Sequence, residues 1–101
     1  MTGWGIFLGL YIDEKRARRS LDKTLRTLRE AARTDPVLRF SRKSRAAILP
    51  RGTPDRRSFK VVLGGLTVEQ AGSACKALTA RGTLCLAQSP NLMALDGYAE
   101  R

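Results

Sequence analysis

The chain has 101 residues and a mass of 11.1 kDa, the size of one domain with a modest two-layer core. Hydrophobic residues make up 43% and charged residues 28%, which excludes the disordered and collagen-like classes. The longest apolar run, residues 6–10, is far shorter than the roughly 18 residues that span a bilayer. It also lacks the flanking features of a signal peptide, so we expect no insertion into a membrane.

The formal net charge is +10, and the excess is concentrated in the middle of the chain. Residues 37–60 contain eight basic side chains and a single acidic one, Asp55. Such a concentration favours an anionic partner, whether phosphate, a carboxylated polymer or acidic lipid headgroups. A basic loop that is merely solvated remains the alternative.

The chain has no histidine, the commonest general base and the commonest metal ligand. Its two cysteines, Cys75 and Cys85, are ten residues apart, which excludes zinc-finger and CxxC redox motifs. We therefore expect neither a metal nor any other cofactor.

The first half of the chain predicts a strand, a helix and a second strand. Alternating apolar residues predict a strand over residues 4–11. Asp13 is a suitable N-cap for a helix over residues 14–32, whose apolar stripe has helical spacing. Asp35-Pro36 ends that helix, and we expect a second strand over residues 37–43.

Proline, glycine and arginine predict a long, exposed connection over residues 44–57. A third strand follows at residues 59–63 and ends in a turn at Gly64-Gly65. Thr67 and Gln70 form a capping box that starts a second helix with an apolar stripe and a left-handed glycine at its end. The stripe and this glycine are Val68, Ala71, Ala74, Cys75, Leu78 and Gly82. Residues 83–88 predict a fourth strand, and no structure is predicted beyond Pro90.

The predicted order is β-α-β-β-α-β, and its two halves resemble each other. Residues 6–9 align with residues 61–64, and each segment is followed by a short loop, a capping residue and an amphipathic helix. Right-handed connections between two such units predict an α+β ferredoxin-like sandwich with both helices on one face of a four-stranded antiparallel sheet. The other face of the sheet is expected to be open, and the protein is expected to be a monomer.

These segments resemble the SPOR (sporulation-related repeat) domain. The matching residues are Ile6-Phe7-Leu8-Gly9-Leu10-Tyr11 before an Ala17-containing helix, and Phe59-Lys60-Val61-Val62-Leu63-Gly64-Gly65-Leu66-Thr67 before Gln70-Ala71 and Leu78-x-x-x-Gly82. The likeness covers roughly residues 4–88 and defines a SPOR-like domain over residues 1–90, with a C-terminal tail at residues 91–101. The second half resembles the C-terminal SPOR domain of alphaproteobacterial D-alanyl-D-alanine carboxypeptidases. The first strand has Phe7 where the family often has glutamine.

The resemblance implies a non-catalytic module of the bacterial periplasm. It would bind peptidoglycan glycan strands stripped of their stem peptides and would target a parent or partner envelope enzyme to sites of wall remodelling or division. The chain would then be a whole protein or part of a carboxypeptidase whose catalytic domain is absent.

Strand parity predicts which side chains lie on the open face. On the first and third strands these are Phe7, Lys60 and Val62, and on the second and fourth strands they are Arg39, Ser41, Leu84 and Leu86. Sugar rings stack on apolar surfaces of this kind, and the lactyl carboxylate of muramic acid would pair with Arg39 or Lys60. The alternative is that a tail, a partner or a parent domain covers this face.

An RNA-recognition motif is the alternative function. Residues 6–10 resemble its RNP2 strand, and Phe7 lies where a base-stacking aromatic residue belongs. The third strand lacks the glycine and the outward aromatic residues of RNP1, so nucleic acid is the weaker hypothesis.

Cys75 and Cys85 are each expected to face the space between the helices and the sheet, where they would form a disulfide or remain two buried thiols. An oxidising periplasm would preserve the bond, and a cytosol would reduce it.

Overall fold

The computed structural model describes residues 3–40 and 44–98. Its four strands form one antiparallel sheet in the order β2-β3-β1-β4, and two long helices pack on one face. This arrangement is a ferredoxin-like βαββαβ sandwich with a short helix added at its end, which confirms the predicted fold class. The elements are β1 (Trp4–Tyr11), α1 (Glu14–Ala31), β2 (Arg45–Arg51), β3 (Ser58–Leu66), α2 (Val68–Thr79), β4 (Leu86–Gln88) and α3 (Pro90–Leu95).

Both long helices begin where the sequence predicts. The side chain of Asp13 accepts a hydrogen bond from the backbone N–H of Arg16 at the start of α1. Both hydrogen bonds of the capping box at Thr67 and Gln70 are present at the start of α2. Val68 is 54% exposed and does not belong to the buried stripe of α2, whose buried residues are Ala71, Ala74 and Leu78.

The core lies between the helices and the sheet. It contains Ile6, Leu28, Val61, Leu66 and Leu78, each almost completely buried. β3 lies in the middle of the sheet and is buried continuously from Lys60 to Leu66. Among the described residues, no helix is both long enough and apolar enough to cross a bilayer.

The predicted second strand at residues 37–43 is wrong. The side chain of Asp35 accepts a hydrogen bond from the backbone N–H of Val37, and Pro36 occupies the first turn of a short 3₁₀ helix (Pro36–Leu38). This turn packs against both long helices and buries Leu38 there. Local hydrogen bonding at Asp35 thus overrides the apparent alternation of Leu38 and Phe40. Residues 41–43 lie outside the described part of the chain.

The strand lies instead in the segment predicted to be a loop. Residues 46–49, Ala-Ala-Ile-Leu, lie opposite residues 60–63 of β3. The pairing continues past Pro50 to Arg51, which lies opposite Ser58. β2 is an edge strand, where a proline is tolerated because its missing N–H can face away from the sheet. Gly52 then turns the chain with φ 85°, and a Cβ there would collide with the carbonyl oxygen of Arg56. This turn leads into a second 3₁₀ helix (Pro54–Arg56) and β3.

β1 contains a register shift between Phe7 and Gly9 in its pairing with β3. Gly9 has φ 149°, and a Cβ there would lie 2.8 Å from the Tyr11 ring. A bulge reverses strand parity, so beyond it Leu10 lies opposite Lys60 on the open face. Tyr11 turns towards the helices, where its hydroxyl is 2.5 Å from the Ser20 hydroxyl of α1.

Cys75 on α2 and Cys85 before β4 form a disulfide, with their Cα atoms 5.0 Å apart. The bond joins the helix layer to the sheet at the point where residues 83–85 approach β1. The paired part of the fourth strand is shorter than predicted and covers only Leu86–Gln88, because Thr83 still donates its backbone N–H to the carbonyl of Leu78 at the end of the helix. The third strand is longer than predicted and continues through Gly64 and Gly65 to Leu66.

We predict that replacing both cysteines by alanine lowers the free energy of unfolding by about 2–3 kcal/mol, because the bond closes a short loop in the unfolded chain. Chemical denaturation of the wild type and the double variant measures this difference. Reducing agent should destabilise the wild type to the same extent and leave the variant unchanged. Two free thiols in protein from an oxidising compartment would contradict the structure.

Candidate ligand site on the sheet face

The sheet face opposite the long helices is not fully open. Residues 89–98, here called the C-terminal segment, begin at β4 and cross the sheet towards β2. Met93, which is 2% exposed, packs against Gly5 of β1. The Tyr98 ring lies against Gly64 of β3, and its hydroxyl donates a hydrogen bond of 3.0 Å to the carbonyl oxygen of Arg45. Neither Gly5 nor Gly64 has room for a Cβ beneath these side chains, so the glycines allow this close packing.

Asp96 attaches the C-terminal segment to the sheet through two ion pairs. One of its carboxylate oxygens pairs with the Arg51 guanidinium of β2, and the other pairs with the Lys60 ammonium of β3. Burial alone would raise the pKa of Asp96, but the hydrogen bonds and positive charges of Lys60 and Arg51 outweigh it, and the pKa lies below its ordinary value of 3.8. Asp96 is therefore a carboxylate at neutral pH.

A groove remains open beside the C-terminal segment. It has a volume of about 390 Å³ and combines one aromatic ring, one aliphatic side chain, one hydroxyl and two cations. The Lys60 ammonium lies 5.1 Å from the centroid of the Phe7 ring, within the range of a cation–π contact. The lining residues are Phe7, Leu10, Arg51, Gly52, Ser58 and Lys60.

The structure brings together only some of the predicted site residues. Phe7 and Lys60 line the groove, and Leu86, which pairs with Phe7, is 56% exposed on the same face. Val62 lies on this face but is completely buried, since the C-terminal segment covers the middle of the sheet, so the expectation that it contacts a ligand is wrong. Leu84 is exposed but lines a separate cleft beside α1.

The predicted positions of Arg39 and Ser41 depended on a second strand at residues 37–43, but the described residues 37–40 do not form a strand. Arg39 ends the 3₁₀ helix at residues 36–38 and lies with Leu28 and Leu38 on the helix side of the molecule. It is therefore not part of the open face. Ser41 lies outside the described residues.

Sequence reasoning missed Arg51, Leu10 and Asp96. Arg51 belongs to a strand that was predicted to be a loop, and Leu10 reaches the face only because the bulge reverses parity. Asp96 lies in a segment for which no structure was predicted. The sequence feature that could have predicted structure in this segment is Ser89-Pro90, a typical helix start. The Ser89 side chain accepts a hydrogen bond from the backbone N–H of Leu92.

Comparisons with protein-family models, curated proteins and solved structures found no match to this chain. Among the described residues, no group of three or more His, Cys, Asp or Glu side chains is placed to hold a metal ion. Any function assigned to the groove must therefore follow from its own geometry and from the motifs in the sequence.

We predict that Asp96 makes stability depend on pH in the acidic range. Because the pKa of Asp96 is lowered on folding, its stabilising contribution is complete above about pH 5 and is lost as the pH falls through the folded-state value. Lys60 and Arg51 are the charged groups that pair with it. Denaturation of the wild type and Asp96→Asn should show a difference in unfolding free energy that shrinks on acidification. A difference independent of pH would contradict this linkage.

Proposed function

We propose that this protein is a non-catalytic module that binds denuded peptidoglycan glycan strands, as its resemblance to the SPOR domain implies. The observation that carries the proposal is the groove in which the Phe7 ring lies beside the Arg51 and Lys60 cations. Ligand sites typically combine apolar contact surface with a few polar groups that orient the ligand. This groove offers both.

A denuded glycan strand has matching chemistry. Its sugar rings present flat arrays of C–H groups that can lie on Phe7 and Leu10. Each muramic acid residue also carries a lactyl carboxylate, and a carboxylate is the group that a guanidinium binds best through paired hydrogen bonds. Stem peptides block this carboxylate by amide linkage, so a site that recognises it prefers strands from which those peptides have been removed.

The Cys75–Cys85 disulfide supports a periplasmic location, because such bonds persist in oxidising compartments and are reduced in most cytosols. In the same proposal, the module would bring a parent or partner envelope enzyme to the wall. A D-alanyl-D-alanine carboxypeptidase is the enzyme that the resemblance suggests.

RNA binding is the competing hypothesis, since Phe7 and the two cations would also suit a stacked base and a phosphate. The covered middle of the sheet argues against it. Val62 and Gly64, where a second base would stack in an RNA-recognition motif, lie beneath the C-terminal segment.

We predict that Phe7→Ala and Arg51→Gln each lower retention on amidase-treated sacculi by about tenfold, which corresponds to about 1.4 kcal/mol. The first change removes the stacking surface, and the second removes the guanidinium that pairs with a carboxylate. Co-sedimentation over a series of sacculus concentrations gives the apparent affinity. Arg26→Gln, on the exposed face of α1, is the matched control for loss of one positive charge and should bind like the wild type.

Equal loss of binding in Arg51→Gln and Arg26→Gln would indicate only a general attraction to an anionic polymer and would contradict a site in the groove. A parallel titration with single-stranded RNA at several salt concentrations tests the alternative. Sub-micromolar, sequence-selective binding at physiological salt would favour RNA over glycan, whereas weak binding that falls steeply with salt is the non-specific behaviour of a basic protein.

A further inference from the structure

Both cations of the groove are already bound to a carboxylate of the chain itself. Arg51 and Lys60 contact different oxygens of Asp96, so its carboxylate is held between two strands at the border of the groove. The side chain of Asp96 is only 11% exposed, whereas that of Arg51 is 47% exposed and remains accessible from solvent. A carboxylate arriving from solvent would find its two best partners in the groove already occupied.

We infer that Arg51 and Lys60 form a carboxylate-binding pair that Asp96 occupies when no ligand is bound, and that the carboxylate of a ligand displaces Asp96. The inference rests on the proposed function and deepens it, because it names the ligand group recognised and the group with which that ligand competes. The C-terminal segment is then an internal occupant of part of the binding surface.

The attachment of the C-terminal segment permits such an exchange. α3 has only six residues, and a helix of that length has little stability of its own. Its outer side is exposed, with Leu92 at 48% and Leu95 at 81%, whereas Met93 is buried against Gly5 of β1. Asp96 follows the helix, and Gly97 after it has φ 82° and open space around its Cβ position. Release of the carboxylate would therefore need a change only at Asp96 and Gly97, with Met93 and Tyr98 keeping their contacts with the sheet.

The exchange keeps one negative charge beside the two cations. Removing Asp96 without replacement leaves two cations facing each other in a partly buried groove, which is costly. Replacing it with a ligand carboxylate restores both ion pairs and adds the contact of a sugar ring with Phe7. The apparent affinity is proportional to the fraction of molecules in which Asp96 is detached, so a change that weakens the ion pairs of Asp96 should strengthen ligand binding.

If Asp96 has a purely structural role, its removal should not increase the affinity for the ligand. If the carboxylate only fastens the C-terminal segment to an already formed site, its removal loosens the groove and binding is weakened or unchanged. The direction of the change in affinity therefore separates the two roles, whereas loss of stability alone does not.

The test uses Asp96→Asn with Asp22→Asn as the matched control. Both variants lose one negative charge, but Asp22 lies on the exposed side of α1, away from the groove. The probes are N-acetylmuramic acid, which carries the carboxylate, and N-acetylglucosamine, which lacks it. Titrations followed by amide NMR should show Asp96→Asn binding N-acetylmuramic acid about fivefold tighter or more than the wild type. Asp22→Asn should match the wild type, and N-acetylglucosamine should not distinguish the variants.

A second measurement does not depend on the variant folding well. In the wild type, N-acetylmuramic acid should shift the amide resonances of Asp96 and Gly97 as well as those of Arg51 and Lys60, and N-acetylglucosamine should leave Asp96 and Gly97 unmoved. Unchanged or weaker binding by a folded Asp96→Asn, or resonances of Asp96 and Gly97 that do not respond to N-acetylmuramic acid, would overturn the inference.

Failure of this inference can be told apart from failure of the proposed function. If amidase-treated sacculi retain the wild type but Asp96→Asn shows no gain and no displacement is seen, the glycan module stands and the competing role of Asp96 is wrong. If sacculi are not retained but N-acetylmuramic acid displaces Asp96, the carboxylate pair stands and its natural ligand is another carboxylate.

Discussion

A central strand that is apolar on both sides has to be covered on both sides, and much of this structure follows from that constraint. β3 contributes Val61 and Leu63 to the core beneath the helices and Val62 to the opposite face. Two helices on one face leave Val62 exposed, so a third element is required. The C-terminal segment supplies it by placing Met93 and Tyr98 over Gly5 of β1 and Gly64 of β3. The absence of a Cβ at these glycines leaves room for the two side chains.

Covering the middle of the sheet also determines the electrostatics of its edge. Lys60 neighbours Val62 on the same face and is only 9% exposed, so its ammonium needs a partner close by. Asp96 provides one and at the same time draws in Arg51 from the edge strand. One carboxylate thereby connects the C-terminal segment to two neighbouring strands that lie 36 and 45 residues earlier in the chain. The groove beside it owes its combination of an aromatic ring and two cations to the same packing.

The predicted and observed site differ for reasons that can be traced to individual residues. Phe7 and Lys60 lie on this face as predicted, because the apolar residues around them located β1 and β3 correctly. Arg39 was assigned to the face through a strand that the Asp35-Pro36 turn prevents from forming. Leu10 was not predicted to lie there, because a single bulge at Gly9 reverses the alternation, and one residue of shift exchanges the two faces of a strand.

The sequence by itself determined the features that depend on neighbours along the chain: the two capped helices and the apolar strands β1 and β3. Hydrogen bonds and side-chain periodicity within a few residues encode all of these. Only the tertiary structure decided that residues 45–51 form the edge strand, that the C-terminal segment covers Val62, and that Asp96 meets Arg51 and Lys60. The ion pairs of Asp96, for example, join residues 36 and 45 positions apart, which leave no local pattern. Residues 45–51 contain arginine and proline and therefore resemble a loop in sequence, but hydrogen bonds with β3 make them a strand.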